Sequence, residues 1–370
     1  MLDSFFSLFI IVPMSTNRNS FCTDGPICKS CYSIPSLGLL DLEELDLMLE
    51  REQYFAVLGP RLSGKSSWLK AFRDHINNSG KFAAAYANIA CDKGFAALPA
   101  MSIICRAVAD GIERDLGNEG LFDEVSPTLD DGNWMGALCK LFVAWATKST
   151  KPTVLLLDDF DNLPLEPYFS MLRQIRSMFD LRPERFPSSI VFCGIHDIRD
   201  HRIKEFRDES SIGCCFNIKA ATFPLPDFSV YDVQFLLGQH FEESGQHFSN
   251  AASLRLHEVT RGQPWLVNFI ASKSSELAKG EEVTAENVDQ AKEVVLNESN
   301  PYRNMLEAYA QEGSVQRLMG ALIFQQPWNC LEHGDMDYCT EIGLVKKPRY
   351  EPLHVANPIV FEVLQGLLAK

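Results

Sequence analysis

No stretch of the chain approaches the roughly eighteen consecutive apolar residues needed to cross a membrane, so no span is read. Basic residues are scarce: 34 Lys and Arg stand against 49 Asp and Glu, for a formal net charge of −15 and a pI of about 5.0. That balance excludes a surface built throughout to coat nucleic acid. There is no internal repeat, no guanine-reading N-K-x-D run and no nuclease-like core of paired acids with a lysine. The 11 cysteines form no disulfide framework. Their number is odd, and Cys105, Cys139 and Cys193 sit in apolar runs where a thiol behaves as a small hydrophobe. A reducing, cytoplasmic setting is expected. Cys28 and Cys31 form one C-x-x-C with Cys22 upstream, but no second pair follows at zinc-finger spacing. A structural zinc and unligated thiols are the two readings there. Residues 1–13 contain S-L-F-I-I-V with no Lys or Arg before it, too short for a span and without the start of a signal peptide. A start at Met14 would leave residues 1–13 outside the native chain.

What the chain does have is a sizeable apolar fraction, 46% against 22% charged over 370 residues. This fits a globular protein of two or three domains. Its organising stretch is Y-F-A-V-L-G-P-R-L-S-G-K-S-S, Tyr54 to Ser67. Gly59, Gly64, Lys65 and Ser66 match G-x-x-x-x-G-K-[ST], and the intervening Pro60, Arg61, Leu62 and Ser63 form the loop between them. Such a loop points successive backbone N–H groups at a polyphosphate. Lys65 would reach the β- and γ-phosphates, the Ser66 hydroxyl would ligate Mg²⁺, and Ser67 continues into a helix facing the anion.

The flanking pattern supplies the required context. A helix is expected over 39–50, then a strand at 54–58, a helix from 68 and a second strand over 81–90. Helices at 97–116 and 134–147 are separated by a loop containing Gly, Asp and Pro. A third strand, T-V-L-L-L-D-D-F-D, runs from Thr153 to Asp161; a helix follows over 164–181, a fourth strand over 188–194 and a fifth over 216–223. Strands alternating with helices imply an α/β doubly wound parallel sheet. After Pro226 the pattern turns helical, with candidates at 230–243, 251–260, 264–278 and 285–295. The last stretch gives helices near 302–311, 315–324 and 336–342, then a hairpin and a final helix, the order of a winged helix. The expected units are an irregular segment 1–36, a phosphate-loop domain 37–225, a helical lid 226–298 and a winged-helix-like domain 299–370.

Hydrolysis of a triphosphate needs carboxylates beside the phosphate loop. Asp158 is the expected metal-side carboxylate and Asp159 the one that orients water. The alternative is an acidic cap on the next helix, with Asp161 or Asn162 as capping residue. After the fourth strand, His196, Asp197 and Arg199 are candidates to sense the γ-phosphate, or else a solvated turn.

These motifs, together with F-C-T-D-G-P-I-C-K-S-C-Y-S-I-P, C-G-I-H-D-I-R-D, F-N-I-K-A, T-R-G-Q-P-W-L-V-N and V-A-N-P-I, resemble the bacterial AAA-like ATPases of the additional-strand P-loop class. The nearest groups are the signal-transducing (STAND) and origin-recognition-type ATPases, and the resemblance covers nearly the whole chain from about Phe21. It implies a sheet order of 5-1-4-3-2 and a nucleotide held between the sheet domain and the lid. It also implies that Gly262-Gln263-Pro264 is the G-x-P signature, with Gly262 and Pro264 beside base and ribose. Read without the resemblance, the same residues are a helix start with Pro at its first turn. The segment from Tyr32 to Pro35 would flank the adenine. Two departures stand out: Asp158-Asp159 replaces the usual Asp-Glu, and His196 stands where Arg is common. Arg199, Arg202 or a neighbouring copy's arginine would compensate. Both departures imply slow turnover.

Three functions follow: an ATP- and Mg²⁺-dependent conformational switch signalling to a protein partner, a DNA-binding ATPase using the winged helix, and a non-hydrolysing nucleotide-binding scaffold. For the second, Lys346, Lys347 and Arg349 lie on the supposed wing, although Glu332, Asp335, Asp337, Glu341 and Glu351 surround them. A three-residue basic run is otherwise a solvated face. An arginine donated in trans would require a homo-oligomer.

Overall fold

The structure is a computed structural model that describes residues 20–25, 30–196, 218–347 and 352–369. Its sheet consists of β1 (Tyr54–Leu58), β2 (Ala83–Asn88), β3 (Thr153–Asp158), β4 (Ser189–Gly194) and β5 (Lys219–Pro224), all parallel, in the order β2-β3-β4-β1-β5. This is the expected 5-1-4-3-2 order. The central strands are nearly continuous apolar runs because helices cover both faces. α1 (Leu42–Glu50) and α2 (Lys65–Ser79) cover one face, burying Leu45, Trp68 and Phe72 against Phe55, Val154 and Leu156. The other face carries α3 (Ala97–Leu116), α4 (Leu121–Asp130), α5 (Trp134–Lys148) and α6 (Leu165–Ser177), packed through Ile104, Phe142 and Phe169.

The α4 helix corrects the expected loop. Leu121, Val125 and Leu129 make a buried stripe at four-residue spacing. Pro127 lies inside it. A proline there cannot donate to the Asp123 carbonyl, and the Ser126 hydroxyl donates to that carbonyl instead, at 3.4 Å. The helix after β3 starts close to where it is expected, at Leu165. Pro164 is its N-cap residue and no side chain caps it, so neither Asp161 nor Asn162 has that role.

Strand β2 is an edge, and its outward backbone groups are taken by side chains. Asn77 accepts from the Ala84 N–H at 2.8 Å and donates to the Ala84 carbonyl at 2.9 Å. Asp115 accepts from the Tyr86 N–H at 2.8 Å, and Arg114 donates to the Tyr86 carbonyl at 2.7 Å.

Beyond the sheet come α7 (Val230–Ser244), α8 (Asn250–Thr260), α9 (Pro264–Leu277) and α10 (Ala285–Asn297), followed by α11 (Pro301–Tyr309), α12 (Gly313–Phe324) and α13 (Asp335–Glu341). A short antiparallel hairpin, β6 (Val345–Lys346) and β7 (His354–Val355), precedes α14 (Pro358–Leu368). One apolar core joins all of this: Leu266 and Ile270 of α9, Val288 of α10, Leu318 of α12 and Ile359 of α14. Phe21, Tyr32 and Ile34 of the approach segment enter the same core. Tryptophan 265 fixes that segment by donating its indole N–H to the Thr23 carbonyl at 2.9 Å, and the Asn268 side chain accepts from the Cys22 N–H at 3.1 Å. Among the described residues, no helix is long and apolar enough to cross a membrane.

Candidate nucleotide-binding site

The phosphate loop links β1 to α2 at the carboxyl edge of the sheet. Gly64 has φ 84°, and its lack of a Cβ lets the chain turn into the helix there. The Lys65 ammonium donates to the Gly59 and Pro60 carbonyls at 2.8 and 2.7 Å, curling over the loop it belongs to. The hydroxyl of Ser63 is buried with no hydrogen-bond partner. A loop with a buried cation and an orphaned donor suits an oxyanion ligand.

β3 brings the two aspartates beside this loop. Asp158 is fully buried. Its Oδ2 accepts from the Tyr86 hydroxyl at 2.8 Å, and its Oδ1 from the Asp159 N–H at 3.1 Å. The Ser66 side chain lies near enough to the Tyr86 phenol to influence it, which brings the loop serine toward the Asp158 side of the site. Burial and the Asp158 charge keep the Tyr86 phenol protonated by raising its pKa. Asp159 departs from the strand with φ 56°, and its Oδ2 accepts from Asn88 Nδ2 at 2.8 Å. Burial, then the Asp158 charge, raise the Asp159 carboxyl above its usual range. The donors fit a hard divalent cation, which needs oxygen ligands and commonly takes one or two carboxylates plus substrate phosphates. Among the described residues there is no cluster of three or more His, Cys, Asp or Glu that could hold a metal.

The other flank comes from distant parts of the chain. Asp161 accepts from the Ile195 and His196 N–H groups at 2.8 and 2.9 Å, fixing the turn after β4. His196 Nδ1 then donates to Glu341 Oε2 of α13 at 2.6 Å, and its ring stacks on Tyr338 at 5.9 Å. Asp197, Arg199 and Arg202 lie outside the described residues. Gly343 approaches Pro60 so closely that a Cβ there would lie 2.6 Å from the Pro60 side chain. The charge of Arg61 bears on Tyr309.

The start of α9 meets the loop through Gln263. Its Nε2 donates to the Leu62 carbonyl at 3.0 Å, and its Oε1 accepts from the Leu266 N–H at 2.6 Å, capping α9. Pro264 occupies the first turn of that helix. Gly262 has φ 77°, and a Cβ there would come within 1.9 Å of the Phe228 carbonyl oxygen. On the hairpin, Lys346 pairs with Asp227 at 2.7 Å, and Arg349 lies outside the described residues.

The structure therefore gathers Gly59 to Ser67, Asp158, Asp159, His196 and the Gly262–Pro264 turn around one loop. Reading the sequence missed Tyr86, Asn88, Glu341 and the bridging role of Gln263. Tyr86 and Asn88 alternate on the strand next to Asp158, a signal visible only once the two strands are known to be neighbours.

No family model matches the chain, and no curated protein matches it either. Solved structures do. A Walker-type ATPase of Pyrococcus abyssi superposes with a TM-score of 0.62 at 13% identity, covering 94% of this chain and 98% of that one. The ORC2 protein of Aeropyrum pernix, solved as ADPNP–ADP complexes, gives a TM-score of 0.55 at 13% identity, covering 90% and 93%. The chain thus has the fold of the P-loop ATPases of AAA+ type, a five-stranded parallel sheet in the order β2-β3-β4-β1-β5 followed by a helical region.

Proposed function

We propose that this chain is a nucleotide-dependent conformational switch of the AAA/STAND type that binds ATP with Mg²⁺, hydrolyses it slowly and signals to a protein partner. One observation carries this reading: the phosphate loop touches both the lid and the carboxyl-terminal unit, through Gln263–Leu62 and Gly343–Pro60. A ligand settling on that loop is felt by both at once. The resemblance of the fold to the ADPNP–ADP complexes of ORC2 supports the nucleotide class.

In this reading Lys65 leaves the Gly59 and Pro60 carbonyls for phosphate oxygens, and Ser66 and Asp158 hold the Mg²⁺ that neutralises phosphate charge. Asp159 orients water, held by Asn88. His196 faces the γ-phosphate, with Asp197 and Arg199 as further candidates. Gly262 and Pro264 flank base and ribose. Residues 37–225 act as the ATPase domain, 226–298 as the lid and 299–370 as a winged-helix signalling module. His196 cannot both engage Glu341 closely and turn fully to a phosphate, so the triphosphate competes with docking of α13. The DNA reading is weaker, since the Lys346–Asp227 pair ties one wing cation to the protein itself.

Calorimetry with ATP and ADP, paired with hydrogen exchange over α9 and α13, tests the proposal. Saturating ATP should bind, speed exchange in α13 and slow it in α9, and Lys65→Ala should abolish all three. Nucleotide bound with exchange in α13 unchanged would remove the switch and leave a scaffold.

A further inference from the structure

We propose that Tyr86 is a positioning residue for the metal side of this site, its hydroxyl setting the Asp158 carboxylate and so the affinity of the nucleotide-bound loop for a divalent cation. The inference rests on the nucleotide-binding reading above.

The strand register dictates the reach. Tyr86 pairs with Leu156 and Asn88 with Asp158, so the tyrosine starts two residues below the carboxylate it meets. Two residues of strand advance about 6.6 Å, a distance the long phenol side chain covers and no aliphatic residue could cover with a polar tip. Its hydroxyl arrives 2.8 Å from Asp158 Oδ2, while the Asn88 side chain goes to Asp159 instead.

The residue is tied down at its backbone, and two cations lie near its ring. The Tyr86 N–H and carbonyl are clamped by Asp115 and Arg114. Asp115 is itself held by Arg73 at 2.8 Å. The Lys70 ammonium lies 5.3 Å and the Arg114 guanidinium 5.7 Å from the ring centre. A side chain so constrained presents its donor in one direction.

A buried aromatic on a strand is ordinarily core filling, and Tyr86 does pack with Trp68 and Leu156 in the same apolar cluster. Phenylalanine would fill that space equally. What packing leaves unexplained is a hydroxyl aimed at a fully buried carboxylate. Among the described residues Asp158 takes just a backbone N–H on its other oxygen, so the orientation of this buried carboxylate depends on each donor. Without the phenol the carboxylate would be free to rotate, and that weakens its pull on a cation. Outer partners of metal ligands commonly matter tenfold or more to metal affinity.

The test is Tyr86→Phe in the full chain, with a non-hydrolysable ATP analogue bound in EDTA and then titrated with Mg²⁺ by calorimetry. Affinity in EDTA should be unchanged, and the Mg²⁺ concentration giving half of the metal-dependent gain should rise about tenfold. Replacing Tyr86 with 3-fluorotyrosine, a stronger donor of nearly the same shape, should shift it the other way. An unaltered Mg²⁺ midpoint in Tyr86→Phe, or an equal loss with and without metal, overturns the proposal. Should the wild-type chain bind no analogue in either buffer, the nucleotide site itself fails instead.

Discussion

On one flank of the phosphate loop, Asp158, Tyr86 and Asn88 are placed by the pairing of neighbouring strands. On the other, His196 meets Glu341 across 145 positions of sequence, and Gln263 meets Leu62 across 201. The first flank moves only if the sheet comes apart. The second depends on how separate helices dock, and a bond or two decides it. Chemistry that must be repeated without error is best kept on the first; sensing and release are best kept on the second.

Substitutions can break or sharpen that contrast. The largest effect is expected from Asp159→Asn on the sheet flank. It should lower ATP turnover about a thousandfold while leaving nucleotide affinity and α13 exchange as they were; single-turnover kinetics with calorimetry would check both. A comparable loss of binding would mean that the two flanks are not separable. Next comes Gly262→Ala on the docking flank. With φ 77° and the Phe228 carbonyl in the way, it should cost about 3 kcal/mol in urea unfolding. A neutral result would show that the Gly262 turn shifts freely against the Phe228 backbone.

A pH measurement gives the third. Arg317 binds Asp335 through two bonds of 2.8 Å and holds its carboxyl down at about 2, below the ordinary 3.8. A carboxyl lowered in the folded chain adds stability above its unfolded value, and that stability is lost as pH falls toward about 2. Wild type should therefore exceed Asp335→Asn by up to about 2 kcal/mol at pH 5, with the gap closing towards pH 2. A gap that stays constant would rule out the charge as its source. The smallest effect belongs to Glu341→Gln. It should lower overall stability by less than about 1 kcal/mol, yet speed hydrogen exchange in α13. Exchange slower than in the wild type would reverse the docking argument.

Much of the sheet flank was legible in the sequence. The glycines and lysine of Gly59 to Lys65 follow directly from what a phosphate demands of a backbone, and the run Val154 to Leu157 fits a strand covered on both faces, as found. The order of the strands came from resemblance, not from periodicity. Tyr86 was illegible because an aromatic on a strand looks like core from sequence alone. Helix α4 was missed because Gly, Asp and Pro outweighed a buried stripe of just Leu121, Val125 and Leu129. Glu341 could not be found, since it sits in a helix whose own pattern says nothing about what lies across from it. A helix cap at Asp161 or Asn162 was the alternative reading of this acidic run; the Asp161 carboxylate instead serves the turn after β4.

The side chains that occupy the outer amides of β2 have a bearing on assembly. Asn77, Arg114 and Asp115 leave Ala84 and Tyr86 nothing to offer an incoming polypeptide along that margin. Copies of this chain that gather into a ring or filament would therefore not extend the sheet across its β2 edge.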